Sequence, residues 1–190
     1  MEFMDVETLR HKIKVLYVLD DVMISPMGDD DLRLVRHKTT ELYEEYFIDN
    51  GGGNKMMIRF FEQGVLVKGF DHENELNQFG ADEWDNGFFI RMFAVVPDSI
   101  MATLTENDRD CSTFCMWYSN DTGEWYQNEV EGNDGGKDYL LGYLPQSVQD
   151  LVDWRYYYGK TLNESVLEKL YKTAELSEKD KAELVVGTKE

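Results

Sequence analysis

The sequence predicts an α+β fold: a single domain in which an antiparallel sheet built from two hairpins packs against N-terminal and C-terminal helices. Three observations predict it. Apolar residues recur at helical spacing near both ends of the chain, and paired apolar runs flank tight-turn sequences twice in its middle. A composition of 42% hydrophobic and 13% aromatic residues, with only 3 prolines in 190 residues, supplies enough apolar surface for a packed core.

Val6, Leu9, Ile13, Leu16 and Tyr17 predict a first helix over about 6–20 with Asp5 as its N-cap, and Ser25-Pro26 and Gly28 break it. A second helix is predicted over about 30–47. It opens on Asp29, Asp30 and Asp31, whose charges suit a helix N-terminus, and carries Leu34, Val35, Leu42, Tyr43 and Tyr46. Gly51-Gly52-Gly53-Asn54 ends this helical region, which is assigned to residues 1–48.

Residues 54–130 read as mainly strands and loops. Met56 to Phe61 and Val65 to Phe70 flank Glu62-Gln63-Gly64 as the clearest hairpin. Ser112 to Tyr118 and Glu124 to Val130 flank Asn120-Asp121-Thr122-Gly123 as a second. The intervening 71–110 reads as long loops, with a short strand over Phe88 to Val95 and a short helix after Pro97. Helix returns over 145–186. Pro145 suits a first turn, Gly159 a C-cap, Asn163 an N-cap and Ser177 another, with Asp180 three residues on.

The formal charge of −19 is unevenly spread. Residues 71–140 hold 16 acids against 3 bases, and neither Asp71 to Ile90 nor Asp110 to Gly136 contains a Lys or Arg. Such a surface repels nucleic acid and anionic membrane and attracts basic partners. No apolar run reaches the roughly 18 residues of a membrane span, and MEFMDVETLR has acids where a signal peptide carries bases, so a cytoplasmic location is expected. Cys111 and Cys115, if on one strand, have Cα atoms about 13 Å apart, too far for a disulfide, and read as buried thiols.

Three of the four tryptophans, Trp84, Trp117 and Trp125, fall inside the acidic segment. An aromatic anchor ringed by carboxylates grips a basic protein well, because the ring supplies affinity and the charges steer encounter. Asp82, Glu83, Trp84, Asp85, Asp121, Glu124, Glu129 and Glu131 are the candidate contacts. Asp71-His72-Glu73, just after a strand, is the one cluster suited to a metal or to acid–base chemistry, although adjacent strand residues do not converge on one ion. The plain reading is that Asp71 and His72 bond loop backbone and pin the turn. Gly51 to Lys55 precedes a strand and lacks phosphate-loop spacing, and the acids of 106–110 and 129–138 do not match a calcium loop and read as solvated. No cofactor or metal is expected.

Across about residues 50–160 the chain resembles a group of uncharacterised bacterial proteins. The resemblance rests on GGGNKMMIRFFEQGVLVKGFDHENEL, on STFCMWYSNDTGEWYQ and on QSVQDLVDWRYYYG. It implies that the Gly-x-Asp-His-Glu and Thr-Phe-Cys-x-Trp patterns recur, with Trp117 and Trp125 as structural markers. It also implies a class of small acidic proteins that look like immunity proteins neutralising secreted toxins. The expectation is therefore a non-enzymatic immunity or inhibitor protein for a basic toxin or nuclease. The alternatives are a nucleic-acid mimic that blocks a DNA- or RNA-binding enzyme, and a small metal-dependent hydrolase built on Asp71, His72 and Glu73.

Overall fold

A computed structural model describes residues 3–28, 30–128, 130 and 132–188. Asp29, Glu129 and Glu131 lie outside the described residues. The α+β class is the one expected, with the sheet in the middle of the chain and helices toward both ends. The chain divides into two compact units, 1–35 with 143–190, and 36–142.

In the first unit, helix α1 (Val6–Ile24) begins at Asp5, whose carboxylate accepts from Thr8 N at 2.9 Å, and buries Leu9, Ile13, Leu16 and Leu19. After Gly142 come α6 (Val148–Tyr158), β7 (Lys160–Leu162), α7 (Glu164–Thr173), α8 (Glu178–Leu184) and β8 (Val185–Thr188). Asn163 caps α7 as expected, and Ser177 with Asp180 forms a full capping box on α8. Helix α1 packs on α7, where His11 Nε2 donates to the Tyr171 carbonyl at 2.7 Å. The two-stranded β7–β8 sheet is an addition that the sequence did not signal. Asp20, wholly buried on α1, accepts from Leu34 N at 3.1 Å and from the Tyr158 hydroxyl at 2.8 Å, and burial raises its carboxyl above the usual carboxylate range.

The second unit is a six-stranded meander in the order β1 (Val35–Thr39), β2 (Tyr43–Asp49), β3 (Lys55–Phe61), β4 (Gly64–Phe70), β5 (Phe114–Ser119) and β6 (Glu124–Gln127). Both predicted hairpins are present, as β3–β4 and β5–β6, and β4 pairs with β5 antiparallel to join them. The helix predicted over 30–47 is instead a single 3-10 turn, Asp30–Leu32, followed by two strands. Its apolar residues fit either period, and Thr40 decides the matter by accepting at its hydroxyl from Leu42 N and Tyr43 N, which turns the chain. Alternation then puts Tyr43, Glu45 and Phe47 on one face and Glu44, Tyr46 and Ile48 on the other.

The strand predicted at 88–95 is helix α2 (Asn86–Phe93). A continuous apolar run has no period of its own, and Asp85 sets helix by accepting from Gly87 N at 2.8 Å. Phe88, Phe89, Met92 and Phe93 then face inward. The helix expected after Pro97 is α3 (Asp98–Met101), and α4 (Glu106–Asp110) follows it. These helices and the turns between them supply Phe88, Met92, Val96, Ile100 and Leu104 to a core with Met57, Phe61, Leu66, Cys115 and Trp117 of one sheet face. Cys111 is half-buried at the end of α4 and only Cys115 is on a strand, so the two are not strand neighbours as supposed; neither is in a disulfide. Burial pushes the Cys115 thiol well up.

Gly69 lies where the sheet has no room for a side chain: a β-carbon there would come within 2.3 Å of the Phe114 ring and 2.6 Å of Leu140 in α5 (Lys137–Leu141). At Gly64 a β-carbon would meet the Tyr118 carbonyl oxygen at 1.9 Å, against backbone that cannot yield without breaking the β4–β5 ladder. Urea unfolding is expected to show Gly69→Ala costing about 1–3 kcal/mol, the usual range of overpacking. Gly64→Ala is expected to cost more, and equal losses would show that the ladder yields as easily as the side chains do.

Candidate binding surface

The segment that leaves the sheet after Phe70 is held by its own polar residues. Asp71 N donates to the Thr113 hydroxyl at 2.9 Å, and the Asp71 carboxylate accepts from Glu73 N at 3.2 Å. His72 N donates to Asn54 Oδ1 at 2.9 Å, its carbonyl accepts from Asn77 Nδ2 at 2.8 Å, and its ring stands 3.2 Å from Glu73. Gly136, at φ 78°, lies so close that a β-carbon would fall 2.3 Å from the Asp71 carboxylate. The Asp71 carboxylate thus serves the loop backbone, while the His72 and Glu73 side chains face one another. Among the described residues no group of three His, Cys, Asp or Glu side chains is placed to hold a metal ion.

Farther along, the loop turns aromatic. Asn77 caps a 3-10 turn, Gln78–Gly80, that lifts Phe79 out of the fold, and Gln78 Oε1 accepts from Asp85 N at 3.0 Å to close the loop onto the start of α2. Rings run in file from the core out to the surface and back: Phe88 to Phe89 at 5.0 Å, Phe89 to Trp84 at 5.3 Å, Trp84 to Phe79 at 5.4 Å and Phe79 to Phe70 at 5.9 Å. Phe88 and Phe89 are buried, whereas Trp84 is 41% and Phe79 61% exposed. Ile90, on the outer face of α2, is 73% exposed. The Trp84 ring N–H donates to Asn86 at 3.1 Å, which fixes the indole while leaving much of it in water.

The carboxylates of this loop differ in how far they are engaged. Asp85 pairs with Arg91 at 2.9 Å and caps α2; the Arg91 bond, outweighing desolvation, holds it below the ordinary carboxylate range. Asp82 and Glu83 are exposed and have no partner among the described residues. The sequence had singled out Trp84 and its neighbours but not Phe79 or Ile90. Phe79 carries a weak signal as a lone aromatic amid Asn, Gln and Gly, and Ile90 becomes an outward residue once 86–93 is read as a helix.

Asp121 and Glu124 are exposed but belong elsewhere. Asn120, beside them, donates to the Gln63 and Glu62 carbonyls, so their turn lies at the Gly64 end of β4, while Phe79 stacks at the Phe70 end. Six residue steps of about 3.3 Å separate the two ends by roughly 20 Å. The structure therefore gathers Asp82, Glu83, Trp84 and Asp85 and leaves Asp121 and Glu124 apart. Trp117 is core, and Trp125 is half-buried against Tyr118 at 5.2 Å.

A second polar cluster, unsuspected from sequence, lies in the interior. Arg59, 3% exposed on β3, donates from Nε to Glu45 at 2.5 Å, from Nη1 to the Thr103 carbonyl at 2.9 Å and from Nη2 to Asp108 at 3.4 Å, with its guanidinium 4.5 Å over the Tyr43 ring. Lys68, on β4, donates to the Cys111 carbonyl at 2.8 Å and the Ser112 hydroxyl at 3.2 Å. Desolvation lowers Lys68 to about 8, partly opposed by the Asp108 charge. Burial alone would raise Asp108, but the Thr105 bonds and the charges of Lys68 and Arg59 leave it below its usual value. Asp108 is thus part of this network rather than of a solvated acidic face. With Arg59 and Lys68 almost wholly buried, these groups read as structural pins.

No protein-family model, curated protein or solved structure matches the chain. Among the described residues no helix is long and apolar enough to cross a membrane.

Two consequences are measurable. The folded Lys68 pKa lies below the unfolded 10.5, so between about pH 8 and 10.5 the unfolded chain binds the extra proton and stability rises with pH. Denaturant titrations should find this rise, on the order of 3 kcal/mol, in the native protein and not in Lys68→Met; equal slopes would refute the shift. His72→Ala leaves the backbone bonds of the loop intact and should cost less than about 1 kcal/mol, as for an exposed surface site.

Proposed function

We propose that the chain is a non-catalytic binding protein, of the immunity or inhibitor kind, that captures a basic protein such as a toxin or nuclease. The observation that carries this reading is the exposed pair Phe79 and Trp84, anchored on the buried rings of Phe89 and Phe70 and set beside the unpaired carboxylates of Asp82 and Glu83. Large aromatics held rigid from beneath lose little freedom on docking, which is why Trp dominates the energetics of many interfaces. Over residues 71–90 there are six acids and no Lys or Arg, so the surface steers cations toward those rings.

The arrangement favours this over the alternatives. A nucleic-acid mimic calls for rows of carboxylates at phosphate-like spacing, whereas Asp82, Glu83 and Asp85 flank Trp84 in sequence and Asp121 and Glu124 belong to the turn at the opposite end of β4. A hydrolase needs Asp71, His72 and Glu73 to share a focus, and their polar groups are spent on loop backbone and on one another.

The test begins with affinity capture from the native host and identification of the bound protein by mass spectrometry. With that partner purified, the association rate is expected to fall about tenfold or more between 50 and 500 mM salt. Trp84→Ala should weaken binding about 30-fold or more, mainly through faster dissociation. Equal association rates at both salt concentrations would sink the electrostatic half of the proposal, and unchanged affinity in Trp84→Ala the aromatic half.

A further inference from the structure

Resting on that reading, we infer that the Phe79–Trp84 surface selects an arginine side chain of its partner over a lysine. The two exposed rings meet at 5.4 Å and 68°, the edge of one against the face of the other, and both keep ring surface open to a docking group. Asp82 and Glu83 lie between the rings in sequence, are exposed and carry no intramolecular partner among the described residues. A planar guanidinium uses all of this at once: it lies flat on an aromatic face and directs its fork of N–H donors to a carboxylate at the ring's margin. An ammonium is a compact, strongly hydrated point charge that satisfies the carboxylate but has no flat face to stack.

The same protein builds this combination within its own fold. Arg59 lies 4.5 Å over the Tyr43 ring while donating to Glu45, whereas the lysine on that ring, Lys38, lies farther out at 5.7 Å. At the edge of the proposed surface, Arg91 already occupies the third carboxylate, Asp85, at 2.9 Å. Asp82 and Glu83 are thus the acids of the 82–85 run left for an incoming cation. The occupant is accordingly a segment of a basic protein that presents arginine on an exposed loop or tail, and the rings and the two free acids contribute separately to its recognition.

Titration calorimetry on the intact protein tests this with three eight-residue peptides in which glycine alternates with arginine, with lysine or with citrulline. The arginine peptide is expected to bind about three- to fivefold tighter than the lysine peptide, the range of an exposed cation–π contact. The citrulline peptide, flat but uncharged, should bind more weakly than either. Trp84→Ala should erase the preference for arginine while retaining salt-sensitive binding, and Asp82→Asn/Glu83→Gln should weaken both charged peptides alike. Circular dichroism and melting of each variant verify that the fold is kept. Equal affinity for arginine and lysine peptides overturns the arginine preference yet leaves the basic-partner reading standing, and binding of neither overturns both. A preference that persists in both variants overturns the assignment to this surface.

Discussion

Arg59 and Lys68 stand on adjacent central strands of the six-stranded sheet, on the face that meets the 71–112 segment, with 3% and 5% of their surface exposed. A buried cation without partners costs several kcal/mol, so this pair dictates what must be built over it. Arg59 draws Thr103 and Asp108 down to the sheet, and Lys68 draws the Cys111 carbonyl and the Ser112 hydroxyl. The return of the long excursion between β4 and β5 is thereby pinned at charged points as well as by apolar packing. Breaking one partner would strand the other charge in a dry environment, which makes the network cooperative.

That pinning gives the exposed surface its support. The excursion leaves the sheet at Asp71, where Thr113 takes the first N–H, and it comes back through α4. Between those fixed ends Phe88, Phe89, Met92 and Phe93 fill the core, and the Trp84 and Phe79 rings stack outward from them. An aromatic pair on a free loop would lose its order in water. Here each ring rests on one already held, so the surface is organised before any partner arrives, which lowers the entropy cost of docking.

The misreadings of the chain share a cause. Residues 34–46 contain apolar spacings that suit a helix as well as two strands, and the polar turn at Thr40 outweighs them. The run Phe88 to Val96 is apolar nearly throughout, so its period is set by the cap at Asp85 rather than by its own pattern. In β4, Lys68 stands within Val-Leu-Val-Lys-Gly-Phe, and both faces of that strand are covered. Whether Lys68 is wet depends on residues 108–112, some forty positions away. Alternation reports which face a residue takes and not what lies over that face.

By itself the sequence determined the α+β class, the two hairpins, the caps at Asp5, Asn163 and Ser177, and the concentration of acids in residues 71–140. These follow from local period, local hydrogen bonding and composition, all of which act over a few residues. Only the tertiary structure decided which of those acids share a surface. The length of β4 separates the Asp121 turn from Trp84, Arg91 occupies Asp85, and the interior claims Asp108, leaving Asp82 and Glu83 open beside two exposed rings. Charge is written residue by residue, but its neighbours are assigned by packing.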